Sequence, residues 1–186
     1  MEQTAVPGRV KSTRVYTGKI VSLDVDVVRF PDGSTGELEM IRHPGASAVV
    51  PFLSDPRGDD PQVLLIRQYR YAANGYLYEI PAGRLNSGED PRDCAARELK
   101  EETGCTAEQL DYLLTMYTTP GFTDEKIHLY MATGLVTGET KHEADEFLDL
   151  EPMLLSKALE MVQAGEIPDG KTALGLLFAA AFRGGH

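Results

Sequence analysis

The chain has 186 residues, with 18 Lys+Arg against 29 Asp+Glu and a formal net charge of −11. That length fits one domain of ordinary size, or one domain with a small appendage, and suffices to bury a core without disulfide staples. The hydrophobic share of 42% and charged share of 25% exclude wholesale disorder. The acidic balance excludes a protein built to hold a nucleic-acid backbone, which needs a basic face. A small anionic substrate is not excluded, because a bound divalent cation reverses the local sign of an acidic site.

Residues 1–12 are polar, carry Pro7 and Gly8, and read as a loose tail. They contain no apolar core of a secretory signal. Tyr16–Ile20 and Leu23–Phe30 are rich in β-branched and aromatic residues and read as strands, followed by the turn Pro31-Asp32-Gly33-Ser34 and a third strand, Thr35–Arg42. His43-Pro44-Gly45 breaks the chain. This antiparallel unit is too small to stand alone, so it is expected to pack on the rest of the chain or on a second subunit. The domain division expected is 1–43 for the tail and β unit, and 44–186 for the main domain.

Strands are predicted at Ala46–Leu53, Val63–Tyr69 and Tyr76–Pro81. The hydrophobic period then changes to that of a helix, opened by Asp90 as N-cap with Pro91 in the first position and closed by Gly104. Leu110–Thr118 and Lys126–Thr133 return to strand character, Gly138–Glu146 is an acidic loop, and Phe147–Leu150 is a short strand. Helices are expected at Ser156–Gln163 and Thr172–Phe182. Elements mixed in this order indicate an α+β fold with a mixed sheet, not a doubly wound one. No apolar run reaches the roughly 18 residues of a membrane span. Cys94 and Cys105 form no C-x-x-C pair and read as small buried thiols of a reducing compartment.

The chemistry concentrates in Gly83–Cys105. Glu98, Glu101 and Glu102 stand at i, i+3 and i+4 on the predicted helix, which places three carboxylates on one face with Cβ atoms about 5–6 Å apart. Unpaired carboxylates repel one another, and a hard divalent cation with oxygen ligands offsets that repulsion. A solvated acidic helix face has the same spacing. Two features favour the cation: Gly83 and its loop lead into the helix from a strand, bringing backbone carbonyls near Ala82 toward the acids, and Arg97 can pair with Glu89 to fix that loop. No phosphate-cradling glycine motif occurs.

Gly83, Glu89, Arg97-Glu98-Leu99, Glu101-Glu102 and Gly104 resemble the Nudix box, G-x5-E-x7-R-E-U-x-E-E-x-G-U, at every fixed position, with Cys105 in place of the usual larger aliphatic at the end. The likeness extends from about Ala46 to the C-terminus. Pro120, inside Thr119-Pro120-Gly121-Phe122-Thr123-Asp124-Glu125, resembles the ADP-ribose pyrophosphatase group of that family. So do Ile66-Arg67-Gln68-Tyr69-Arg70 and Tyr78-Glu79-Ile80-Pro81-Ala82-Gly83, and so does an extra N-terminal β unit, which in that group exchanges between the subunits of a homodimer.

The resemblance implies an α/β/α sandwich with a mixed sheet, and Mg²⁺-dependent hydrolysis of ADP-ribose to AMP and ribose 5-phosphate in the cytoplasm, with Mn²⁺ as a substitute ion. It implies Glu98 and Glu102 as metal ligands, Glu101 sharing a metal or acting through water, and the Ala82 carbonyl completing the site. A glutamate of the acidic loop would activate water: Glu143 and Glu146 are the candidates, one as base and the other touching a metal, in an order the sequence does not give. Glu101 or Glu125 would be the next candidates for the base. Arg70 is the expected grip on the diphosphate, since its planar fork suits phosphate oxygens. Arg67 on the same strand would take that role with one change of face, Glu79 lies within reach of ligand, and Arg42 and Pro120 complete the substrate-binding set. Phe30, Tyr16 and Tyr71 are candidates to stack on a base, with core packing the commoner role for each. His43, His128 and His142 lack metal-ligand spacing. The rival readings are a pyrophosphatase for another sugar nucleotide, such as GDP-mannose, and a Nudix module that binds ADP-ribose without cleaving it. The second would ordinarily have lost box glutamates that this chain keeps.

Overall fold

The computed structural model describes residues 6–138 and 148–182, arranged as two compact units. The first comprises the described residues up to Gly45 together with Tyr117–Lys126. It is a three-stranded antiparallel sheet in the order β1 (Gly8–Thr17), β2 (Ser22–Arg29), β3 (Thr35–Arg42). β1 begins inside the expected tail, because its polar residues form a ladder with β2 that pairs Gly8 with Arg29. The expected strand at Tyr16–Ile20 keeps only Tyr16 and Thr17: the chain turns at Gly18, whose N–H donates to the Val21 carbonyl at 2.9 Å. The Pro31–Ser34 turn forms as expected, with Gly33 at φ 86° and Asp32 accepting from the Ser34 amide at 2.9 Å.

On β2 the buried residues are Asp24 and Asp26, not the neighbouring valines Val25, Val27 and Val28. The cause is Arg42 at the end of β3. It donates through Nε to Asp24 at 3.1 Å, through Nη2 to Asp26 and through Nη1 to Asp124 at 3.1 Å, while Arg14 also engages Asp24. The Ile41 amide donates to the Phe122 carbonyl at 2.7 Å, which fastens the Pro120 turn to β3.

The second unit holds Ala46–Met116 and the described residues from Ile127 onward. Its four-stranded mixed sheet has the order β7 (Ala82–Arg84), β4 (Ala46–Pro51), β9 (Lys126–Thr137), β8 (Cys105–Tyr117), with β4 parallel to β9 and antiparallel to β7. A second, antiparallel sheet has the order β10 (Leu148–Leu154), β5 (Gln62–Arg70), β6 (Gly75–Glu79). The helices are α1 (Pro91–Thr103), α2 (Leu155–Ala164) and α3 (Gly170–Phe182).

Strand side chains alternate between two faces, and each face feeds its own core. Val49, Leu64, Tyr130 and Ala132 meet Ala95 and Leu99 of α1, whereas Val50, Leu65, Ile80 and Leu129 meet Leu155, Ala158 and Leu176 of α2 and α3. Full burial of each such aliphatic contributes about 1.5–3 kcal/mol. Helices on both faces of a mixed sheet give the expected sandwich. No described helix is long and apolar enough to cross a membrane.

The expected strand Tyr76–Pro81 is split: β6 ends at Glu79, and β7 resumes at Ala82 in the other sheet. Pro81 has no N–H for a ladder, and its carbonyl accepts from the Val49 amide at 2.9 Å. The chain therefore crosses between sheets at Pro81.

Candidate active site

The bounds of α1 follow from local chemistry. Asp90 accepts from the Arg92 amide at 2.8 Å, Pro91 occupies the first turn, and Gly104 at φ 71° donates to the Lys100 carbonyl at 2.9 Å. Ser47 Oγ of β4 donates to the Pro91 carbonyl at 2.7 Å and ties the start of the helix to the sheet. Ala95 and Leu99 fill the core, which turns the neighbouring stripe of Glu98 and Glu102 toward β7.

That stripe meets the strand closely. A Cβ built on Gly83 would lie 1.9 Å from Glu98 Oε1, so the space of a side chain is taken by the carboxylate. The Ala82 N–H donates to Glu102 Oε2 at 3.0 Å. Glu98 and Glu102 are buried, while the Glu101 carboxyl is 39% exposed. The shared face of the three acids thus resolves into two buried groups and one at the surface.

Arg97 gathers the acids around it. Its Nε and Nη2 engage both oxygens of Glu89 at 2.8 and 2.9 Å, Nη1 donates to Glu98 and, at 3.0 Å, to Glu101, and Nη2 reaches the Arg84 carbonyl at 3.1 Å. Glu89 Oε2 also accepts from the Asn86 amide at 2.8 Å, which closes the loop before the helix. This is the Arg97–Glu89 pairing expected from sequence. Arg97 holds the Glu89 carboxyl at about 2, and Glu89 with its fellow acids raises the guanidinium above its ordinary value against the opposing effect of burial. Desolvation raises the nearby Cys94 thiol to about 11, so it remains a thiol.

Among the described residues, no three acid, imidazole or thiol groups converge ready-made on one metal position. Glu98 and Glu101 are turned onto Arg97, and Glu102 onto the Ala82 amide. The donor set nonetheless fits a hard divalent cation, because Glu89, Glu98, Glu101 and Glu102 outnumber the single guanidinium among them and every donor is oxygen. The Gly83 gap seats a carboxylate at the strand where a side chain would displace it.

Arg70 lies on the same side of β5 as Glu79: Ile66 pairs with Glu79 and Arg70 with Gly75, and alternate residues share a face. Its Nε and Nη2 donate to the two Glu79 oxygens at 2.7 and 2.9 Å. Glu79 is the main reason that Arg70 holds its charge more tightly than usual, with smaller contributions from Glu102 and Asp169, so Arg70 feels the acid cluster. Arg67, three positions earlier, is on the opposite face, over the Tyr76 ring at 4.3 Å and 3.8 Å from Asp149. The change of face that would bring Arg67 beside Arg70 is not made.

Arg42 and Pro120 belong to the first unit, where the Arg42 guanidinium is engaged by three aspartates. There the His43 ring lies 3.3 Å from Glu125. Tyr16 and Tyr71, expected in the core, are 58% and 88% exposed. Glu139, His142, Glu143, Asp145 and Glu146 lie outside the described residues. Sequence reasoning missed Asp169, Lys171 and Thr172, which reach Glu79 and Ile80 from the start of α3. The available signal was Asp169 as a cap, since it accepts from the Thr172 amide at 3.0 Å.

A NUDIX domain model matches residues 43–172. A methanol dehydrogenase activator of Bacillus methanolicus is 40% identical over 171 residues, covering 91% of this chain and 90% of that protein. An ADP-ribose pyrophosphatase of Bacillus subtilis is 36% identical over 171 residues with the same coverage, 91% and 90%. A solved structure of an ADP compounds hydrolase superposes with a TM-score of 0.82 at 20% identity, covering 99% of this chain and 98% of its own; at that identity the likeness is one of fold.

Proposed function

The chain belongs to the NUDIX domain family, and from that premise we propose that it hydrolyses the diphosphate of ADP-ribose, in a divalent-metal-dependent reaction, to AMP and ribose 5-phosphate. The observation that carries the reading is the buried pair Glu98 and Glu102 against the side-chain gap at Gly83, with Arg70 in the field of the same cluster. The likeness to the ADP-ribose pyrophosphatase of Bacillus subtilis over nine-tenths of both chains supports the substrate.

Glu98 and Glu102 would hold Mg²⁺, with Mn²⁺ as a substitute, together with the Ala82 carbonyl and with Glu101 directly or through water. When bound, the metal would neutralise the diphosphate, polarise a phosphoryl oxygen and lower the pKa of a water. Arg97 keeps Glu98 and Glu101 oriented and fixes the Gly83–Glu89 loop through Glu89. Arg70 presents its fork to the diphosphate oxygens. Glu143 and Glu146 remain the proposed base and partner ligand.

Products would be assayed with Mg²⁺ for ADP-ribose, GDP-mannose, NADH and diadenosine polyphosphates. AMP and ribose 5-phosphate from ADP-ribose, abolished by EDTA and restored by Mg²⁺ or Mn²⁺, are expected. Preferential cleavage of GDP-mannose would move the assignment to another sugar nucleotide. ADP-ribose binding without turnover would make the protein a binding module. Glu143→Gln and Glu146→Gln should both lower kcat, and Glu139→Gln should not. Metal titration with a non-hydrolysable analogue divides the first two, since the base variant still recruits every metal.

We also propose a C2 homodimer that exchanges the N-terminal β unit. Every residue of β1 is exposed, Val10 and Val15 among them, and a second copy would cover them. A fully active monomer in sedimentation at micromolar concentration would refute this. A cytoplasmic setting fits the free, buried thiols of Cys94 and Cys105.

A further inference from the structure

Glu79 is among the most deeply buried charged residues described, with its side chain 2% exposed. A carboxylate withdrawn that far needs compensation at both oxygens. Arg70 supplies one hydrogen bond to each, and Lys171 Nζ adds a second donor at Oε2. Burial pushes the Glu79 carboxyl up, and Arg70 and Lys171 together more than offset it, so the group stays ionised at neutral pH.

Lys171 is itself fixed. Its side chain is 11% exposed, and Nζ also donates to Asp169 Oδ2 at 3.0 Å. Asp169 accepts from the Thr172 amide at 3.0 Å and from its hydroxyl at 2.5 Å, and that hydroxyl accepts from the Ile80 amide at 2.9 Å. The first turn of α3 therefore holds this strand twice, by the backbone at Ile80 and by the side chain at Glu79.

The consequence falls on Arg70. Its Nε and Nη2 are committed to Glu79, and among the described residues Nη1 makes no hydrogen bond, on a side chain 41% exposed. A planar guanidinium fixed along one edge presents the other edge in one direction. We propose that Lys171 is a positioning residue: by sharing Glu79 it sets the direction in which Arg70 offers its free edge to the substrate diphosphate. The proposal rests on the diphosphate reading of the site. Without the ammonium, Glu79 loses its fixed rotamer, Arg70 swings with it, and binding suffers before chemistry does.

The test compares wild type, Lys171→Met and Lys171→Arg as full-length enzymes, by steady-state kinetics with ADP-ribose and Mg²⁺ and by hydrogen exchange at the ¹⁵N-labelled Arg70 Nε, assigned by its loss in Arg70→Lys. Lys171→Met should raise KM about tenfold, with kcat changed by no more than about threefold, and should speed Nε exchange; Lys171→Arg should restore both. Unchanged KM and exchange in a folded Lys171→Met protein would overturn the proposal, as would a loss confined to kcat. If Lys171→Met does not fold, Lys171→Gln, which removes the charge but keeps a polar amide, is read by the same criteria. The exchange measurement separates the two readings: wild type inert toward ADP-ribose refutes the substrate, whereas Nε exchange indifferent to Lys171 refutes the positioning role whatever the substrate.

Discussion

Arg42 in the first unit and Arg97 in the second each gather three carboxylates, and the balance of charge around them differs. Arg42 faces Asp24, Asp26 and Asp124, and Arg14 shares Asp24, so two cations meet three acids. Arg97 alone faces Glu89, Glu98 and Glu101, with Glu102 on the same helix stripe. The first cluster is nearly neutral within itself and ties β2, β3 and the Pro120 turn together. The second keeps an excess of negative charge in a partly buried place, which is unstable on its own and becomes favourable when a divalent cation is added. An arginine ringed by acids is thus a brace or a site according to how many other cations share the acids.

The sharpest way to break this contrast is to remove charge from the second cluster. Glu102→Gln should fold normally and lose on the order of 10³-fold in kcat with Mg²⁺, the share expected when a metal supplies several kcat-determining kcal/mol; near wild-type turnover would remove the metal assignment. Gly83→Ala comes next. The added Cβ displaces the Glu98 carboxylate, and a catalytic group moved by about 1 Å costs on the order of 10²-fold. Stability, read by urea denaturation, should change little, because the displaced atoms end a flexible side chain.

Arg42→Met tests the other cluster. It leaves Asp26 and Asp124 without their arginine, and Tm should fall on the order of 5 °C, while Mg²⁺ affinity, measured by calorimetry, stays the same. A variant that changed metal binding more than Tm would erase the distinction.

The smallest effect is in acid. The hydrogen bond from Arg14, with Arg42 adding to it, holds the Asp24 carboxyl at about 2 instead of the ordinary 3.8, against the opposing effect of burial. A carboxylate depressed in the folded state contributes stability that is complete above pH 3.8 and lost as pH falls toward about 2. Asp24→Asn should flatten that limb of an acid-unfolding curve and leave neutral-pH behaviour otherwise similar in shape.

What was legible in the sequence was what is decided locally. The limits of α1 came from Asp90, Pro91 and Gly104, each within one turn of what it caps. The Glu89–Arg97 pair spans eight residues and was readable for the same reason. The partnership of Glu79 with Lys171 joins residues 92 apart in sequence, and no local pattern announces it. β1 was hidden because its residues are polar and only its ladder with β2 makes it a strand. The spacing of Glu98, Glu101 and Glu102 gave a shared face, but their separation into buried and exposed groups depends on β7 arriving beside the helix.

The crossing at Pro81 has one more consequence. Glu79, which holds Arg70, and Ala82, whose amide holds Glu102, are three residues apart in the chain, a span of at most roughly 10 Å. Bond lengths cap that interval, and the ring of Pro81, which fixes one backbone dihedral, narrows its range. Thermal breathing can tilt the whole stretch while the distance between its two ends hardly changes. A diphosphate held at both ends, as proposed for Arg70 and the Glu102 site, would therefore be measured for length before its base or sugar.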